Sequence, residues 1–200
     1  MDYTKIIFLD ASTTCWEKPA DQPAGQINEL ICIDLAVVDT TKLEIKEKEL
    51  LFIKPQKSKI SEYCEKHFGI SQELVDKEGL DFSDIYRHLC VYHMTKNCIW
   101  ASWGQYDKQI IDKQCKNLKL DYPLSYHHMN IQYMYGIMTG TGENTSLRAA
   151  CERLSIKLDQ NNAVNLANIF FLMSKGLHIK TNKPRISSDI NDGRFKYFAN

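Results

Sequence analysis

Apolar residues occur first as short unbroken runs and later as helical stripes. Ile6-Ile7-Phe8-Leu9 is a continuous run closed by Asp10, which predicts a strand buried on both faces. Leu30–Val38 is rich in Ile, Val and Leu and breaks at Asp39-Thr40-Thr41, predicting a second strand. Glu49–Ile53, stopped by Lys54-Pro55, predicts a third. Their short connections suit an antiparallel meander. Beyond them the period changes. Ser61–Phe68 opens with a capping serine and reads as a short helix. Phe82, Ile85, Leu89 and Tyr92 recur at helical spacing, and Cys98–Ser102 is another strand. Ile110, Ile111 and Cys115 mark the helix after it. His127–Met138 is expected to be partly helical. Leu147, Ala150, Cys151 and Leu154 share a helix face, and Ala163, Leu166, Ala167, Phe170 and Phe171 form the stripe of a last helix over Asn161–Met173. Gly140-Thr141-Gly142 reads as a loop, and Gly176 as the end of the last helix.

Strands first, then helices alternating with strands, predict an α/β domain with a mixed sheet flanked by helices. The sheet would combine a three-strand antiparallel meander with parallel strands. The domain is expected over residues 1–176, followed by a polar tail over 177–200.

Composition narrows the function classes. The 200 residues carry 25 basic and 25 acidic side chains, so no overall basic excess supplies an electrostatic grip on nucleic acid. The seven cysteines are odd in number and scattered, without a CxxC pair, which reads as buried thiols in a reducing compartment. Residues 1–5 lack a leader pattern and no run of 18 apolar residues occurs, so neither secretion nor membrane insertion is expected. An intracellular, cytoplasmic protein is the expectation, with the nucleus left open.

Five segments in order carry a resemblance. They are Phe8-Leu9-Asp10-Ala11-Ser12-Thr13-Thr14-Cys15-Trp16-Glu17, Asn28-Glu29-Leu30-Ile31, Phe52-Ile53-Lys54-Pro55, Trp103-Gly104-Gln105-Tyr106-Asp107 and Asn161-Asn162-Ala163-Val164-Asn165-Leu166-Ala167. Together, over about residues 4–175, they resemble the DEDDh 3′–5′ exonucleases of ribonuclease H-like fold. The similarity lies in the branch of KapD-like and small-RNA- or histone-mRNA-trimming enzymes.

The resemblance implies four carboxylates and a histidine. The first strand of the family ends in Asp-x-Glu, whose i, i+2 spacing aims both acids at one metal. Two Mg²⁺ or Mn²⁺ ions about 4 Å apart then clamp the reacting oxygens, and the histidine activates water. Carried over position by position, Asp10 and Asp107 are retained. Ser12 replaces the glutamate, Asn162 the last aspartate and Lys157 the histidine. One metal would keep Asp10 alone, and the other Asp10 and Asp107, so metal binding is expected to be weak at best. An amine with an ordinary pKa of about 10.4 cannot take a proton from water near neutrality. Lys157 could instead pair with Asp10 or with a bound phosphate.

The resemblance also makes Thr13, Cys15, Trp16, Trp103 and Lys157 candidate nucleic-acid contacts. Bland readings stand beside these. Asp10 could merely cap a strand, Asp107 could open a helix, and both tryptophans could be core. Cys15 is expected to be structural rather than nucleophilic, and His127-His128 structural rather than substrate-binding. Asp159 could serve as a substitute ligand only if its backbone shifted. The favoured expectation is an exonuclease-like protein with impaired cutting that binds single-stranded 3′ ends, RNA ahead of DNA, without a required cofactor. The rivals are an active Mg²⁺- or Mn²⁺-dependent 3′–5′ exonuclease using Asp10 and Asp107, and a protein-interaction module on the same fold.

Overall fold

In a computed structural model, the structure describes residues 1–141 and 145–176; the polar tail over 177–200 and Gly142 lie outside the described residues. Five strands form one sheet in the order β3-β2-β1-β4-β5. They are β1 (Asp2–Thr13), β2 (Leu30–Asp39), β3 (Glu44–Phe52), β4 (Cys98–Ser102) and β5 (His128–Asn130). The first three pair antiparallel as a meander, whereas β4 runs parallel to β1 and β5 parallel to β4. The expected mixed α/β sheet is present. Seven α-helices surround it among the described residues: α1 (Glu62–Phe68), α2 (Gln72–Glu78), α3 (Phe82–Arg87), α4 (Tyr106–Asn117), α5 (Ile131–Thr139), α6 (Leu147–Arg153) and α7 (Asn162–Gly176).

Alternation along β1 and β2 feeds two cores. Ile7, Leu9, Ile33 and Leu35 pack with Trp100 and with Phe82, Ile85, Ile110 and Ile111 of α3 and α4. The intervening Phe8 and Ala36 pack on the opposite face with Ile131, Ala150, Ala163, Leu166 and Ala167 of α5, α6 and α7. Asp10 and Ser12 continue the Phe8 series, so the polar end of β1 points toward the α7 side.

Four elements differ from the sequence expectation. The strand does not stop at Asp10, because pairing with β2 satisfies its backbone as far as Thr13. β3 starts at Glu44 rather than Glu49. Its first half, Glu44-Ile45-Lys46-Glu47-Lys48, is a charged sheet edge whose solvated face hides the strand pattern. Helix α2 was not foreseen, since only Val75 of it is buried; Ser71 starts it by accepting from the Leu74 N–H. The helix predicted through Tyr92 also changes character, giving way after Arg87 to a wider π-helical turn over His88–Tyr92.

Asn161 fixes the start of α7 against the sheet. Its Oδ1 accepts from the Val164 N–H at 3.1 Å, while its Nδ2 donates to the Glu49 carbonyl at 2.7 Å and the Leu35 carbonyl at 3.4 Å. The residue is buried. Replacing it removes a helix cap and strands two buried carbonyls. We predict that Asn161→Ala lowers stability by about 1–3 kcal/mol in chemical denaturation; a change under a few tenths would show that α7 is anchored elsewhere.

Candidate active site

Strand β1, helix α4 and helix α7 bring three of the expected positions together. Asp10 comes from β1, Asp107 from the first turn of α4, and Asn162 from the first residue of α7. Asn162 Nδ2 donates to Asp10 Oδ2 at 3.0 Å. The carboxylate can only accept, so the amide is turned with its NH₂ toward Asp10. Its Oδ1 accepts from Asn165 Nδ2 at 3.4 Å, consistent with that orientation. Asp107 is 3% exposed, and its Oδ1 accepts from the Ala11 N–H at 2.8 Å. The β1–β4 pairing ends at Phe8 and Ala101, so Asp107 takes up a β1 backbone donor beyond that pairing.

Burial raises the Asp10 carboxyl above the ordinary carboxylate range, partly opposed by the Asn162 amide. Asp107 is pushed well above that range, first by burial and then by the charge of Asp10. Among the described residues, no lysine or arginine forms an ion pair with either.

Ser12 is buried and lines a groove of about 500 Å³ with Cys32, Asp34, Phe52, His67 and Asn162. Lys157, expected at the histidine position, is exposed on the segment between α6 and α7, where Ser155 adopts a left-handed φ of 55°. Asp10 takes Asn162 as its side-chain partner, so the anticipated Lys157–Asp10 ion pair is not formed.

The remaining sequence candidates are distributed around this centre. Thr13 Oγ1 shares a 3.0 Å hydrogen bond with Tyr106 Oη, joining the end of β1 to α4. The Cys15 carbonyl accepts from Ser61 Oγ at 2.6 Å, and the half-buried side chain packs beside Cys64 and Phe68. Trp16 is half-buried and lines a shallow hollow with Tyr63, Lys66 and Ser61. Trp103 packs on Tyr135 at 5.7 Å between ring centroids and donates Nε1–H to the Thr145 carbonyl at 2.9 Å, so its indole anchors core. Asp159 is held at the rim by Lys48 at 2.9 Å and by the Asn161 N–H at 2.9 Å; these bonds keep its pKa low and its carboxylate engaged away from Asp10. Glu29 belongs to the resemblance but does structural service, accepting from the Gln56 and Lys57 N–H groups at 3.0 and 2.8 Å.

Sequence reasoning missed Asp34. It stands directly across from Asp10 in the β1–β2 register, on the same sheet face. Its Oδ2 accepts from the Asn162 N–H at 2.6 Å, at the positive end of α7, and its Oδ1 accepts from the Cys32 thiol at 3.4 Å. Burial lifts its pKa to about 7; the Asn162 hydrogen bond works against that rise and the Asp10 charge with it. A lone acid inside the apolar run Leu30–Val38 was the available signal, once an antiparallel register set it opposite Asp10.

The sequence pattern of the exonuclease family (RNase T) matches residues 7–163. The chain belongs to the exonuclease (RNase T) family. The probable 3′–5′ exonuclease KapD of Bacillus subtilis (strain 168) is 26% identical over 121 residues, which is 60% of this chain and 58% of KapD. Among solved structures, the nuclease domain of 3′hExo, a DEDDh member bound to rAMP, superposes with a TM-score of 0.76 at 23% identity. That match covers 87% of this chain and 93% of the other. A 3′-exonuclease structure concerned with histone mRNA stem-loop recognition follows at a TM-score of 0.73 and 22% identity, covering 87% and 83%. Cell-death related nuclease 4 gives 0.70 at 16% identity, covering 87% and 64%. These similarities establish the ribonuclease H-like exonuclease fold for this family member.

Of the paired histidines, His127 is exposed and His128 is half-buried in β5. Its Nε2 shares a 2.9 Å hydrogen bond with Ser102 Oγ, and its ring lies 4.1 Å from that of Trp100. Burial, with the Lys108 charge, depresses its pKa to about 4. The unfolded chain therefore takes up a proton near pH 6.5 that the folded domain refuses until about pH 4. The resulting stability is present above pH 6.5 and lost as the pH falls toward 4. We predict that His128→Gln flattens this acid-side loss by on the order of 1 kcal/mol, screening included, in denaturation at pH 7 and pH 4.5. An unchanged slope would mean that His128 titrates normally.

Proposed function

We propose that this exonuclease-family domain binds single-stranded 3′ ends, RNA ahead of DNA, and that its capacity to cut is impaired. The Asn162–Asp10 hydrogen bond carries this reading. In the family, two divalent ions would be shared among hard anionic oxygens. Here residue 162 bonds Asp10 through its amide NH₂ and can offer at most one neutral oxygen in place of a carboxylate, and Ser12 is a short neutral hydroxyl. That donor set does not fit two ions. Asp10 and Asp107 would hold a single Mg²⁺ or Mn²⁺ weakly, and no catalytic step is derived through it. Lys157 is exposed, and its ammonium suits a phosphate of a bound strand.

Support for nucleic acid as the partner comes from the relatives: 3′hExo in complex with rAMP, and a 3′-exonuclease described with the histone mRNA stem-loop. Trp16 and Tyr63, flanked by Lys66, would offer a partly exposed aromatic surface for stacking a base, a contact worth about 1–3 kcal/mol. The scattered cysteines fit a reducing, cytoplasmic setting. Among the described residues, no helix is long and apolar enough to cross a membrane.

A second reading is favoured by Asp34. It adds a third acid beside Asp10, and a cation would offset the burial that pushes all three carboxyls upward and the Asp10 charge that adds to it at Asp34 and Asp107. The domain would then trim weakly with Mg²⁺ or Mn²⁺.

Fluorescence anisotropy with short single-stranded RNA and DNA, followed by gels with Mg²⁺ and Mn²⁺, separates the readings. Binding without trimming is the expected result. Trimming by the unmodified chain would establish the second reading, and neither binding nor trimming would point to a protein-interaction module. We further predict that Ser12→Glu, Lys157→His and Asn162→Asp together raise metal-dependent trimming by about 100-fold or more. Failure of that folded triple variant to gain activity would mean that the loss of cutting has another cause.

A further inference from the structure

On the sheet face away from Asp10, a second constellation takes shape. Glu49 of β3 pairs with Leu35, and Leu50 with Asp34. Alternation therefore puts the Glu49 side chain with Leu35 on the α3 side and Leu50 with Asp34 on the α7 side. Facing Glu49 are His88 and His93. Five positions on a regular α-helix leave two residues about 140° apart around the axis. The π-helical turn over His88–Tyr92 widens the coil by one residue, closed by the His93 N–H to the His88 carbonyl at 3.3 Å. Both imidazoles consequently meet the same carboxylate oxygen. His88 Nε2 lies 2.8 Å and His93 Nε2 3.2 Å from Glu49 Oε2, and the three ligand atoms all fall within 4.8 Å of one another.

We propose that Glu49, His88 and His93 form a binding site for a divalent transition metal of the Zn²⁺ class. Two imidazoles with one carboxylate form a donor set that Zn²⁺ accepts, and the two nitrogen ligands disfavour Mg²⁺. With bonds of about 2.0–2.1 Å, tetrahedral Zn²⁺ requires ligand atoms roughly 3.3 Å apart, and the two nitrogen–oxygen separations of 2.8 and 3.2 Å lie near that value. The two rings stand at 88° to each other with centroids 4.9 Å apart, so they approach the oxygen from different directions. His93 is 2% exposed while His88 and Glu49 are partly open, leaving an entry path and a fourth position for water. Glu47, one face position along β3, adds negative charge and is held by Tyr92 Oη at 3.0 Å. Such an ion would clip the charged edge strand to the turn after α3. It acts structurally, at a distance from the Asp10 groove and independently of whether that groove cuts.

The competing account is a metal-free cluster in which Glu49 simply accepts from two imidazole N–H groups. The test uses the full chain stripped with chelator and titrated with Zn²⁺ and with Co²⁺. One ion per chain, visible Co²⁺ bands of tetrahedral intensity without sulfur charge-transfer absorption, and a Zn²⁺-dependent rise in Tm are expected. His88→Gln and Glu49→Gln should each weaken Zn²⁺ binding about 100-fold or more, whereas Asp10→Asn should leave it intact. Two partly exposed ligand positions are substituted separately because the buried His93 is the one whose loss endangers folding. The proposal is overturned if the unmodified chain binds no Zn²⁺ here, if binding survives both substitutions, or if it follows Asp10 or a thiol instead.

Discussion

Everything at the polar end of this sheet depends on how three clustered carboxylates are satisfied by hydrogen bonds from neutral donors. Asp10, Asp34 and Asp107 lie at the junction of β1, β2 and α4, where burial disfavours their charged forms. The fold answers with neutral donors: the Asn162 amide for Asp10, the Asn162 N–H and the α7 terminus for Asp34, and the Ala11 N–H for Asp107. Asn162 is thereby bonded through side chain and backbone to two different acids. It joins the helix to the sheet while occupying the oxygen that a cation would want.

That arrangement connects packing to function. Asn161 seats α7 on the backbones of β2 and β3, and the next residue is delivered to Asp10 and Asp34. A helix start positioned by buried carbonyls cannot drift far, so the chemistry of residue 162 is imposed on the site. With an aspartate there, the same geometry would concentrate anionic oxygen and call for metal. With an asparagine, it neutralises by hydrogen bonding. On the proposed reading, the exonuclease fold and its groove persist while the ligands for two ions are reduced.

Much of this was legible in the chain. The unbroken apolar runs of β1, β2 and β4 gave the sheet, and the stripes on α4, α6 and α7 gave its covering. Asp10, Asp107 and Asn162 were placed together by their motif segments, and the structure brings them together. The failures have separate physical reasons. Charged Lys46 and Lys48 disguise β3 because an edge strand can be solvated along one face. Asp34 was unreadable without the register that opposes it to Asp10. Lys157 is not among these failures: counted back from the motif to the histidine position, it is exposed on the segment that turns through Ser155. His88 and His93, five residues apart, share a face only because the helix loosens between them, and periodicity at 3.6 residues conceals that.

The most direct test of the central claim is to count Mn²⁺ ions by electron paramagnetic resonance in the unmodified chain, with Glu49→Gln included to separate the distant cluster. Neutral satisfaction of Asp10 by Asn162 predicts no more than one weakly held ion that reports on Asp10 and Asp107. Two tightly held, magnetically coupled ions at Asp10 would contradict it, because the amide would then have yielded its place to metal.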